Sequence, residues 1–107
     1  MIKLAVFDLD GTLCPIGGSI ASRDIALLHA LKDRGLSLAI CSGKTTFYLC
    51  GLVRQIGITD MILLGENGSE IQFGIDLPPT VHCTLPYDKK VKAALRKIKE
   101  DIEEMVP

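Results

Sequence analysis

Apolar stretches of strand length alternate along this chain with stretches whose apolar positions recur every three to four residues. Lys3-Leu4-Ala5-Val6-Phe7 opens as an apolar run, the pattern of a strand buried on both faces. From Ser22 to about Arg34, Ile25, Leu28 and Leu31 share one helix face, with Ser22 as cap and Gly35 as stop. Residues 36–41 read as a second buried strand. Leu49, Leu52, Val53 and Ile56 then fall at i, i+3, i+4 and i+7 of another helix, closed by Gly57. Met61-Ile62-Leu63-Leu64 is a third short strand, Asn67-Gly68 a tight turn, and Glu70-Ile71-Gln72-Phe73 a returning hairpin arm. Strand, helix and strand in succession predict right-handed crossovers and parallel pairing.

Leu77-Pro78-Pro79 breaks the pattern, and residues 80–85 predict a further short strand. Pro86 and Asp88 then introduce a last helix, ended by Pro107. Its apolar positions Val91, Leu95, Ile98, Ile102 and Met105 step by 4, 3, 4 and 3, coiled-coil spacing over too few heptads to define one. Six basic residues from Lys89 to Lys99 precede Glu100, Asp101, Glu103 and Glu104, the reverse of what the helix dipole favours. That order reads first as a solvated face. Its alternative is pairing with an antiparallel copy, basic half against acidic half.

The 107 residues suffice for one domain, and 48% hydrophobic with 23% charged residues fits a folded chain. A net charge of −1, no Trp, two Tyr and three Phe leave no nucleic-acid footprint. No apolar run approaches the roughly 20 residues of a membrane span, and Asp8 follows the start too closely for a signal peptide. Cys14, Cys41, Cys50 and Cys83 form no C-x-x-C pair and show no metal spacing with His29 or His82. Cys41, within an apolar run, reads as core. Together these features predict a reduced, cytoplasmic protein. His29 reads as a helix-surface residue, and His82, alone in its neighbourhood, takes no role.

Candidate chemistry gathers where the strands end. Asp8 and Asp10 lie two apart at the end of the first strand, so strand alternation points them to one side. Gly11 after them permits a sharp turn and close backbone approach to a ligand. Two adjacent carboxylates repel unless a cation or a shared proton relieves them. An Asx-capped turn explains the same residues equally well. An EF-hand loop does not, because Leu13, Cys14 and Pro15 supply no further oxygen ligands. The second strand ends in Ser42-Gly43-Lys44-Thr45-Thr46. A hydroxyl, a glycine and a lysine at a helix N-terminus make an anion seat, or Ser42 simply caps the helix. A P-loop is excluded because Leu38 stands where that motif needs a glycine, five positions before Gly43.

Phe7-Asp8-Leu9-Asp10-Gly11-Thr12-Leu13 closely resembles the first motif of the haloacid dehalogenase (HAD) phosphatase superfamily, and Cys41-Ser42-Gly43-Lys44 resembles its second. Gly65-Glu66-Asn67-Gly68 resembles the subgroup with a large cap after the third strand, which includes sugar-phosphate, sucrose-phosphate and phosphoglycolate phosphatases. The resemblance covers roughly residues 1–73. It implies an α/β fold: a partial Rossmann-like parallel sheet of about three strands with flanking helices, a small hairpin and a C-terminal helix. Residues 1–75 would be a partial core and residues 76–107 the start of a cap-like segment. Residues 14–20, a loop or small hairpin, would lie over the site as a flap.

The activity implied is Mg²⁺-dependent hydrolysis of a small phosphorylated metabolite. Asp8 would be the nucleophile and Asp10 the general acid and base. Mg²⁺ would sit on the Asp8 carboxylate and the Asp10 backbone carbonyl. Leu9, Gly11, Thr12, Ser42, Gly43 and Lys44 would contact the phosphoryl group. The family's third motif, a lysine, and its fourth, an acidic pair, have no counterpart here. Lys44 belongs to the second motif, and Asp101 and Glu104 lack the strand and glycine context of the fourth. That departure implies a truncated enzyme whose first strand is an apolar sheet edge. The alternative is a non-catalytic remnant that binds a cation or phosphate and forms a homodimer through the first strand or the C-terminal helix. A receiver domain would place its acidic pair and its accepting aspartate on different strands, whereas Asp8 and Asp10 share one.

Overall fold

The computed structural model describes residues 1–76, 78–86 and 88–106. Five strands form one sheet: β1 (Leu4–Asp8), β2 (Ser37–Cys41), β3 (Ile62–Gly65), β4 (Glu70–Phe73) and β5 (His82–Thr84), in that spatial order. The first three are parallel, and β4 and β5 return antiparallel. Helices α1 (Ser22–Asp33) and α2 (Thr46–Ile56) make the two crossovers, and α3 (Lys89–Met105) ends the described chain. The parallel sheet of three strands is therefore as the sequence predicts, but the hairpin arm and the strand after it extend that same sheet. Because β5 pairs with β4, the sheet runs across residue 76.

Leu38, Ala39 and Ile40 of β2 are at most 1% exposed, so the middle of the sheet is covered on both faces. Leu63 of β3 and Leu49, Val53 and Ile56 of α2 pack with Leu38 and Ile40, and α1 adds Leu28. The first strand does not share that burial. It lies at the edge of the sheet, and its Leu4 and Val6 are about half exposed while Ala5 and Phe7 pack on the core. The edge position is as the missing later motifs predict, but burial on both faces is not found: exposure alternates along the strand, so one face packs on the core and the other is open.

Three further details differ from the sequence reading. Helix α1 begins one residue early: Ala21 is its extended N-cap and Ser22 its first helical residue, so the serine makes no cap bond. Thr45, not Ser42, caps α2, its hydroxyl accepting the Tyr48 N–H at 3.3 Å. Cys41 is half-buried at the open end of β2 rather than in the core. All four cysteines are free. Asp88 caps α3 through the Lys90 N–H at 2.8 Å, and none of that helix's residues is buried. Leu77, assigned to the chain break, and Pro107, assigned as the stop of the last helix, lie outside the described residues. No described helix is long and apolar enough to cross a membrane.

The pattern of β4 is inverted. Its polar residues Glu70 and Gln72 are buried, while Ile71 is half-buried and Phe73 half exposed. Both polar side chains bond to α2. Gln72 Nε2 donates to Cys50 Sγ at 2.9 Å and to the Gly74 carbonyl at 2.9 Å. His29 is likewise structural, its Nε2 lying 2.7 Å from the Ile56 carbonyl and so tying α1 to the end of α2.

Candidate active site

Register builds the site. Asp8, the last residue of β1, pairs with Cys41 of β2, which pairs with Leu64 of β3. The loops after these strands therefore leave the sheet side by side, at the end where parallel sheets receive ligands.

The first loop closes on itself. Leu9 is 2% exposed, and its carbonyl accepts the N–H groups of Thr12, Leu13 and Cys14 at 3.2, 3.0 and 3.3 Å. The Gly11 N–H donates to the Cys14 carbonyl at 2.7 Å, a turn that sets Gly11 at φ +82°, where a side chain is disfavoured. The backbone N–H groups of Gly11 and Thr12, both candidate phosphate contacts, are thus engaged within the loop. Asp10 Oδ1 accepts the Gly17 N–H at 3.3 Å, which draws residues 14–20 toward the site. Burial pushes the Cys14 thiol up, and the Asp10 and then the Asp8 carboxylate add to that shift. Neither aspartate takes part in an ion pair among the described residues.

The second loop is braced from the third. The Ser42 N–H donates to the Leu64 carbonyl at 2.9 Å, the Asn67 N–H to the Ser42 carbonyl at 2.8 Å, and the Glu66 N–H to the Lys44 carbonyl at 2.8 Å. Glu66 and Asn67 take positive φ, +49° and +59°, to present these donors, a conformation costing about 1–2 kcal/mol per residue. A side chain on Gly43 would meet Asn67 Oδ1 at 3.4 Å. Ser42 is buried, and its Oγ accepts the Lys44 N–H at 3.1 Å. Lys44 is exposed, with Nζ 5.5 Å from the Tyr48 ring centre, a cation–π distance.

Two residues with no assigned role complete the arrangement. Glu70 is 8% exposed, and its Oε1 accepts both the hydroxyl of Thr46 and, at 3.2 Å, the Thr46 N–H. His82 Nε2 lies 3.3 Å from the same oxygen. Two donors at the start of α2 are therefore already satisfied, Thr46 N by Glu70 and Tyr48 N by Thr45. The helix N-terminus that the sequence marks as an anion seat holds a carboxylate of the protein itself. The Thr46 hydroxyl is the chief reason the Glu70 carboxyl sits below the ordinary glutamate range. Burial opposes the shift, and His82 and the Thr46 N–H add to it.

A carboxyl lowered on folding stabilises fully above its unfolded pKa of about 4.3 and loses that contribution as pH falls through the lower folded value. The stability advantage of the wild type over Glu70→Gln is therefore expected to hold from neutral pH down to about 4.3 and to shrink as the pH falls further. Urea midpoints of the two proteins across that range measure it. A difference that does not change with pH would refute it.

Among the described residues no three His, Cys, Asp or Glu side chains converge to hold a metal. Asp8 and Asp10 offer hard oxygen donors only, which suits a small divalent ion that keeps several waters.

Residues 5–104 match the family model of haloacid dehalogenase-like hydrolases. A phosphoglycolate phosphatase of Methanoculleus marisnigri is 32% identical over 101 residues, covering 94% of this chain and 41% of its own length. An HMP-PP phosphatase of Yersinia pestis is 32% identical over 109 residues, covering 94% of this chain and 40% of its own. The chain thus spans about two fifths of the length of these curated relatives. A haloacid dehalogenase-like hydrolase from B. subtilis superposes with a TM-score of 0.78 at 20% identity, over 95% of this chain and 34% of the other. One from Bacteroides thetaiotaomicron gives 0.72 at 26% identity, over 91% and 36%.

Proposed function

The chain belongs to the haloacid dehalogenase-like hydrolases, and from that premise we propose that it carries the nucleophile and phosphoryl seat of a Mg²⁺-dependent phosphomonoesterase. The observation that supports this reading best is the register of Asp8 with Cys41, which sets the first carboxylate beside the Ser42-Gly43-Lys44 loop. Asp8 attacks phosphorus, the leaving oxygen departs, and an aspartyl-phosphate forms on Asp8. Asp10 protonates that oxygen and afterwards takes a proton from the water that hydrolyses the intermediate. Ser42, Gly43 and Lys44 hold phosphoryl oxygens, with Leu9, Gly11 and Thr12 lining the opposite side. Gly11 and Thr12 contribute through their N–H groups only if these leave their bonds within the loop.

Asp8 and Asp10 would hold the Mg²⁺. When bound, the ion neutralises charge that otherwise keeps an anionic substrate from an anionic nucleophile. The substrate class is a small phosphorylated metabolite. One relative is named for phosphoglycolate and another for HMP-PP, and only the reaction class they share is carried over.

The test is hydrolysis of p-nitrophenyl phosphate by the 107-residue chain with Mg²⁺ and after chelation. Slow turnover that chelation abolishes is expected. A folded chain that binds inorganic phosphate or Mg²⁺ without turnover would replace this reading with that of a non-catalytic binding module.

A further inference from the structure

We infer that Glu70 is a positioning residue for the phosphoryl seat: from β4 it fastens the first turn of α2, and with it the loop of residues 42–45. The inference rests on the reading of Ser42-Gly43-Lys44 as that seat.

Three observations carry it. The carboxylate is buried and accepts two donors from one residue, the N–H and the hydroxyl of Thr46, itself 0% exposed. Thr46 follows the loop directly, so its position fixes where the loop must end. Opposite Glu70 in the sheet stands Gly65, where a Cβ would come within 2.7 Å of Thr46 N and 3.0 Å of the Lys44 carbonyl. The cross-strand pair therefore holds the same short piece of backbone from one face of the sheet, Gly65 by allowing contact and Glu70 by bonding to it. His82 brings β5 to the same carboxylate, so the strand leading toward α3 shares the fastening.

A buried carboxylate at a helix start also stabilises the helix in a general way. Positioning predicts something narrower: loosening confined to the loop, and a weaker grip on phosphate. Glu70→Ala removes both bonds. Glu70→Gln keeps an acceptor oxygen of the same reach while removing the charge. Thr46→Val keeps the carboxylate and removes the hydroxyl donor, which covers the case in which Glu70→Ala does not fold.

The experiment follows backbone amides of the whole chain by NMR. It reads hydrogen exchange at the bonded amides of Ser42, Lys44 and Thr46 against Ile40 and Leu63 in the core, then shifts on adding inorganic phosphate with Mg²⁺. In Glu70→Ala, loop exchange is expected to rise about tenfold or more while core amides hold within about twofold. Phosphate affinity should fall roughly fivefold or more. Thr46→Val should move the same amides in the same direction, and Glu70→Gln should recover most of the loop's protection. Loop exchange and phosphate affinity unchanged in both Glu70→Ala and Thr46→Val would overturn the inference. So would an acceleration spread evenly over loop and core. If phosphate fails to shift the loop amides of the wild type, the seat reading falls by itself. The exchange comparison then still decides whether Glu70 orders the loop.

Discussion

Asp8→Asn is expected to abolish the slow Mg²⁺-dependent hydrolysis proposed above, down to the no-enzyme rate, with no loss of thermal stability. The carboxamide fills the same space at the end of β1 but has no anionic oxygen to attack phosphorus, so the proposed aspartyl-phosphate could not form. Stability should hold because Asp8 is exposed and takes no part in an ion pair among the described residues. Hydrolysis rates and melting curves of the two proteins, measured side by side, separate chemistry from folding. Turnover that survives the substitution would sink the assignment of Asp8 as nucleophile.

Gly65→Ala is expected to cost about 1–3 kcal/mol of folding stability, far more than a methyl group added at an ordinary strand position. Its φ of −92° suits any residue, so conformational freedom is not the reason for glycine here. The reason is room. The added carbon would lie 2.7 Å from Thr46 N and 3.0 Å from the Lys44 carbonyl, and both neighbours are backbone. Relief requires the second loop to move off β3, which would stretch the bonds from Glu66 N–H and Ser42 N–H. A drop in the urea midpoint, with the largest amide shifts at residues 42–46, is the expected result. A midpoint equal to wild type would show that the loop does not rest on Gly65 as tightly as described.

Elements whose burial matches their composition were legible in the sequence. Residues 36–41 predict a strand covered on both faces, and Leu38, Ala39 and Ile40 are so covered. The two crossover helices follow from their apolar spacing. The first strand was half legible: its apolar run predicts burial on both faces, which is not found, whereas the missing later motifs predict a sheet edge, which the strand order shows.

The supporting residues were hidden for a different reason. Alternation in Glu70-Ile71-Gln72-Phe73 argues for the apolar pair inside, yet the polar pair is inside because α2 offers it partners. Those partners lie 24 residues away for Glu70 with Thr46 and 22 for Gln72 with Cys50. His82 has no companion in its own stretch, but Glu70 lies 12 positions upstream across a strand pair. Local periodicity contains no information about such contacts. The motif strings around Asp8 and Ser42, by contrast, are contiguous and can be read from the sequence alone.

The bracing of the second loop by the Glu66 and Asn67 N–H groups bears on how this site could change over evolutionary time. At Glu66, whose side chain is exposed, the backbone at positive φ and its N–H do the holding. What that position requires is shape, so Asn, Asp or Gly, which tolerate the left-handed conformation, would keep the loop in place. A β-branched side chain at that position would instead strain the loop that stands beside the end of the first strand.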